Sequence, residues 1–286
     1  MAKATVVLSG GQDSTTCLHW AKQQSFDEIA AVTFDYGQRH DEEIFAAEKI
    51  AKMAGVTNHT VLILSPDTLR SDSPLTSNND LEQYEDHASL PGGLEKTFVP
   101  MRNQTFLTIA AAEAYRNGHT HLITGVCQED FGGYPDCRRV FVDAVENACN
   151  LGTFTGKDGA LPNLNIHTPL MDLTKAQSVD LAIRLGWDCW RALAYSHTAY
   201  DGAFPPTGHD HATLLRAKGF EQHGTPDPLV LRAIVSSTGM DIPDSKNYSM
   251  ARYLLKHDDA LANENDESLL RACWDDILNS TGATDA

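Results

Sequence analysis

The sequence predicts an α/β protein built on a doubly wound parallel sheet, with a small helical appendage at the C-terminal end. Short apolar runs alternate with stretches whose apolar residues recur at helical spacing, which is how strands and crossover helices read. The first apolar run leads straight into a glycine pair and a helix. Hydrophobic residues make up 42% of 286 residues, so the chain can bury a full core.

Each element has its own warrant. Residues 4–8 are a buried strand, and Cys17, Leu18 and Ala21 mark the apolar face of the helix after the glycine pair. Residues 29–34 are a second strand. Ile44, Ala47, Ile50, Ala51 and Ala54 then recur at helical spacing until Gly55 stops the helix. Residues 60–64 are a third strand. Residues 65–93, polar and with three prolines, break the pattern as a lid or a partly disordered loop. A helix over 105–115, a fourth strand over 121–126 and a fifth over 165–170 complete the sheet. Residues 195–213 are rich in Gly, Pro and His and carry no periodicity. The division expected is residues 1–235 as the main domain and 236–286 as a C-terminal extension, with helices over 249–257 and 267–278.

Charge and cysteines narrow the partners. The formal net charge is −17, so a bare nucleic-acid backbone is repelled and any polyanion must be held by local features. Six cysteines without a CxxC pair argue for a reducing, cytoplasmic compartment. The first apolar run is too short for a secretory leader or a membrane span.

The chemistry starts at Leu8 and the loop Ser9-Gly10-Gly11-Gln12-Asp13-Ser14-Thr15. Strand, glycine pair and helix form a phosphate cradle. Glycines let backbone N–H groups approach the anion, the helix start adds its dipole, and Ser9, Ser14 and Thr15 add hydroxyls. Neither GK[ST] nor GxGxxG is present, which excludes a Walker A loop and disfavours a dinucleotide fold. Asp13 fits a magnesium ligand bridging to phosphate oxygens. An ordinary helix cap is the competing reading.

The motif SGGQDST resembles the N-type ATP pyrophosphatases, whose PP-loop fold is that of the adenine nucleotide alpha hydrolases. Further blocks resemble one family, QueC, the 7-cyano-7-deazaguanine synthases. They are residues 34–40 (FDYGQRH), 98–103 (FVPMRN), 124–127 (TGVC), 130–138 (DFGGYPDCR) and 168–171 (TPLM) with Lys175. The resemblance implies that 7-carboxy-7-deazaguanine is adenylated by ATP, that ammonia converts the adenylate to an amide, and that a second ATP drives dehydration to the nitrile. It implies ATP and Mg2+ as required partners of catalysis, with Asp13, Arg102 and Lys175 as the catalytic charges. It places the ATP on residues 8–15 with Asp35 and Gln38. The substrate falls to Phe98, Arg102, Asn103, Gln128, Glu129, Asp130, Phe131, Tyr134, Asp136 and Arg138. Their carboxylates suit the N–H groups of a guanine-like edge, and their aromatic rings suit its face. For Asp35 and Gln38 a plain strand-end turn is an equal reading, and for Asn103 a helix cap is. Residues 39–43 read as a solvated helix start.

The sequence departs from the family in two places. Four family cysteines are replaced by His197, Thr207, Asp210 and Thr213. Zinc is therefore expected to be absent; His197, His209 and His211, with Asp210, are the residues left that could hold it. The tail is additional. QueC-like proteins occur in anti-phage clusters, where the activated deazaguanine goes to a protein amine, so a protein acceptor is the alternative to ammonia. A nucleotide sensor without turnover is the third reading. No membrane or direct nucleic-acid partner is expected, and a homodimer is the candidate assembly.

Overall fold

A computed structural model describes residues 2–90, 95–128, 134–153, 161–236 and 266–281. The sheet consists of β1 (Lys3–Val7), β2 (Glu28–Asp35), β3 (Asn58–Ile63), β4 (His121–Ile123) and β5 (Asn165–His167). Its order is β3-β2-β1-β4-β5, and every neighbouring pair is parallel. Central β1 pairs on both sides: Val6 stands opposite Ala31 of β2 and Ile123 of β4. Its three middle residues are all buried, which is why it reads as an unbroken apolar run and not as an alternating one.

Helices cover both faces. On one lie α1 (Gln12–Gln23) and α2 (Glu42–Met53). Their Leu18, Ala21, Ala47, Ile50 and Ala51 pack on Ala4, Val6 and Ala31. On the other lie α3 (Arg102–Arg116) and α4 (Arg139–Gly152), whose Leu107, Ala110, Ala114, Val142 and Val145 pack on Val32, Phe34 and Ile166. The doubly wound expectation holds. Successive residues of β2, Ala31 and Val32, enter opposite cores, as the pleat requires.

The remaining helices form a third cluster: α5 (Lys175–Arg184), α6 (Trp187–Leu193), α7 (His211–His223), α8 (Pro228–Ser236) and α9 (Asp266–Thr281). In α9, Leu269, Leu270, Cys273, Trp274 and Ile277 are buried with Val179, Trp190, Leu193, Phe220 and Leu231. The apolar face sits at helical spacing, so the helix expected over 267–278 is present. It closes the same core as α5–α8, and the division expected at residue 235 does not coincide with a break in this packing. The helix expected over 249–257 lies outside the described residues.

Two expectations change. Strands β4 and β5 stop at Ile123 and His167, earlier than their apolar runs; after β4 the chain turns away, and Thr124, Gly125 and Val126 wall a cleft, while after β5 it enters turns. The described part of the 65–93 segment is not an open lid. Its Leu69 and Leu75 are buried in the core beside α3, with short 3-10 turns at Pro66–Thr68 and His87–Ser89. Scattered leucines in a polar run have no period to betray them.

Candidate active site

All five described strands point their carboxyl ends the same way, and connections leave β1 and β4 in opposite directions. That crevice is where open α/β sheets bind ligands. A cavity of about 360 Å³ opens there, a size suited to a small molecule.

The loop after β1 forms one wall. Gly10 has φ +83°, and a Cβ there would lie 2.3 Å from the Glu43 carbonyl oxygen, so only glycine lets α2 sit on the loop. Gly125, just past β4, lies so close that its Cβ would stand 3.0 Å from the Asp13 and Ser14 backbone. Gly11 begins α1 without a side-chain cap, which leaves the first-turn N–H groups to an incoming anion. Of the three loop hydroxyl residues, Ser9 and Ser14 line the cavity and Thr15 does not. Ser14 accepts from the Ser9 N–H at 3.2 Å and donates to the Gly11 carbonyl at 3.1 Å. Thr15 donates to the same carbonyl at 2.8 Å, fully buried, and does not reach the cavity. It braces the loop.

Asp13 and Lys175 meet on the cavity wall, Nζ to Oδ2 at 2.8 Å. Lys175 opens α5 behind a reciprocal cap between Thr174 and Gln177. Its stem is pinned by Gly219 of α7, where a Cβ would come within 3.1 Å. Arg102, the first residue of α3, follows Met101 at φ +66°, a strained left-handed conformation for a side chain of that size. Burial works against the Arg102 charge, but Tyr36, Tyr200, Asp136 and Glu43 around it prevail and hold its proton more tightly than usual.

Of the expected substrate residues, Asn103 and Tyr134 line the cavity, and Asn103 donates to the Asp136 carbonyl at 3.2 Å. Asp136 lies just behind, buried; burial pushes its carboxyl up despite Arg102, and its Oδ1 has no hydrogen-bond partner among the described residues. Phe98 stands behind Tyr134, ring centres 5.2 Å apart. Gln128 is exposed and donates to Asp172 at 3.0 Å, and Arg138 is exposed; neither lines the cavity. Glu129, Asp130 and Phe131 lie outside the described residues. Leu8, Ser9, Gly11, Gln12 and Gln38 line it. Asp35 does not: its carboxylate accepts from the Gly37 N–H at 3.3 Å, a strand-end turn.

The histidines do not converge. His197 bonds the Ala199 carbonyl at 2.7 Å, His209 the Tyr84 carbonyl at 3.1 Å, and His211 faces Glu95 at 3.6 Å. Among the described residues no three His, Cys, Asp or Glu side chains gather to hold a metal. Two of the positions where the family carries cysteine instead bond each other. Asp210 caps α7 by accepting from the Thr213 N–H at 3.0 Å and hydroxyl at 3.1 Å. Zinc therefore does not fit this donor set. Purified protein should carry no stoichiometric zinc, and a chelator should leave its melting midpoint unchanged. One zinc per chain, lost on His197→Ala, would refute this.

Sequence reasoning missed several lining residues. His40 and Glu43, read as a solvated helix start, face the cavity, as do Tyr36, Thr198 and Tyr200. Helical spacing put Glu43 beside Ile44 without saying which neighbour it would meet.

A parallel sheet with a glycine-pair anion cradle and two cations at its switch point defines an α/β nucleotide-binding protein of the PP-loop class. More narrowly, the chain belongs to the QueC family: the family described as "Queuosine biosynthesis protein QueC" matches residues 3–224. Similar curated proteins, each named 7-cyano-7-deazaguanine synthase, come from Gloeobacter violaceus (46% identical, covering 80% of this chain and 96% of that protein) and Chromobacterium violaceum (48%, 83% and 97%). A third is from Laribacter hongkongensis (47%, 80% and 94%). Among the described residues no helix is long and apolar enough to cross a membrane.

Proposed function

We propose that the protein activates 7-carboxy-7-deazaguanine with ATP as an acyl-adenylate, amidates it with ammonia, and dehydrates the amide with a second ATP to 7-cyano-7-deazaguanine. The observation that carries this is the Asp13–Lys175 pair on the phosphate loop with Arg102 lining the same cavity. A carboxylate is a poor electrophile. Its attack on the α-phosphorus, with pyrophosphate leaving, makes a mixed anhydride whose AMP departs readily. The protein's task is to position the two anions and neutralise their charge, which Lys175 and Arg102 are suited to do. Tyr134 on the cavity wall is offered to the ring face of the guanine-like substrate, with Asn103 beside it and Asp136 buried just behind. Asp13 on the cavity wall fits Mg2+ that keeps phosphate and water ligands; it would hold the ion, which would supply charge neutralisation.

Incubation with ATP, substrate and ammonia should yield AMP, pyrophosphate and the nitrile by mass spectrometry. ADP and phosphate instead would rule out this chemistry. A second reading, transfer to a protein amine, draws on the divergent 195–213 segment, whose His197, Thr198, Tyr200 and His211 line the cavity. It predicts stalling at the adenylate when ammonia is the nucleophile.

A further inference from the structure

We propose that Glu43 takes a proton from the incoming ammonium ion, so that neutral ammonia attacks the acyl carbon. The proposal rests on the adenylation reading above.

Glu43 sits in the first turn of α2 and lines the cavity. Its backbone is locked to the phosphate loop, because the Gly10 position admits no Cβ beneath its carbonyl. The carboxylate makes no hydrogen bond to a described residue. Burial raises its pKa, against the opposing pull of His40 and Arg102. The phenols of Tyr36 and Tyr200, which also feel it, are held neutral by burial. An anionic side chain beside a triphosphate loop repels the nucleotide unless a cation or proton donor offsets it. Asp13 has Lys175 for that purpose. Glu43 has His40 and Arg102 within electrostatic range and open cavity before it, where a cationic ligand can reach its carboxylate.

Ammonium is that ligand in amidation. It cannot attack while protonated, since its lone pair is in the N–H bond. One proton passes to a Glu43 oxygen, and the freed lone pair forms the C–N bond. The C–O bond to AMP breaks, with AMP keeping the electron pair. A second proton leaves the new amide nitrogen to solvent. The neighbouring imidazoles are less suited. The His197 ring is tied to the Ala199 carbonyl, and His40 packs under Gly202, where a Cβ would lie 2.8 Å from its ring.

The test separates base from scaffold by changing the nucleophile. Hydroxylamine is largely unprotonated at neutral pH and needs no base. Glu43→Gln should retain substrate-dependent ATP–pyrophosphate exchange and hydroxamate formation, while ammonium-dependent amide formation falls about 100- to 10,000-fold. Glu43→Ala, read in the same assays, guards against a folding artefact of the first variant. Amide formation at the wild-type rate would overturn the proposal, and so would a parallel loss of hydroxamate or of exchange. No exchange in the wild-type protein would instead sink the adenylation reading itself.

Discussion

Lys175→Met should lower substrate-dependent ATP–pyrophosphate exchange by about 100- to 1,000-fold with the fold intact. Methionine keeps the stem that packs against Gly219 and removes only the ammonium. Two losses then add. The loop loses a cation where the phosphates develop charge, and Asp13, deprived of its 2.8 Å partner, turns its carboxylate on the nucleotide. Asp13→Asn should lose turnover on a similar scale, since it removes the wall carboxylate suited to Mg2+. Because the two side chains touch, the double variant should be much less impaired than the product of the singles. Thermal melts check the fold. Exchange that survives either substitution within a few-fold would remove the pair from the chemistry.

Trp274→Ala should destabilise the protein by about 3–5 kcal/mol, read as a lowered urea midpoint. The side chain is fully buried, with ring centres 5.7 Å from Trp190 and 6.1 Å from Trp187. Against a usual total of about 5–15 kcal/mol, that is a large share. Asp276→Asn, on the exposed face of the same helix, should stay within about 0.5 kcal/mol. A small effect of Trp274→Ala would mean that α9 is not a structural part of the α5–α8 core. The contrast matters for the acceptor question. Truncating the chain before α9 would uncover Trp190 and Leu231, so loss of activity would report unfolding as readily as a lost docking surface. Surface substitutions on α9 keep the two apart.

The sequence alone determined the fold class and pointed to the loop after β1 as the candidate anion site. Both are written in local terms. An unbroken apolar run specifies a strand buried on both faces, a glycine pair between strand and helix specifies a turn that exposes N–H groups, and Leu269, Leu270, Cys273, Trp274 and Ile277 specify one helix face. Local rules also pointed to Asp13 in the loop, and the blocks resembling QueC pointed to Arg102 and Lys175. The tertiary structure decided which side chains share a volume. It turned Thr15 inward onto the Gly11 carbonyl and left Asp35 in its own turn. It brought Glu43 and the divergent His197–His211 segment to the cavity wall, and it closed the α5–α8 core with α9. The reason is physical. A carboxylate beside a helix start looks the same in sequence whether it faces water or a cleft. Only the approach of another element, here α2 seated on a glycine with no Cβ, sets its surroundings.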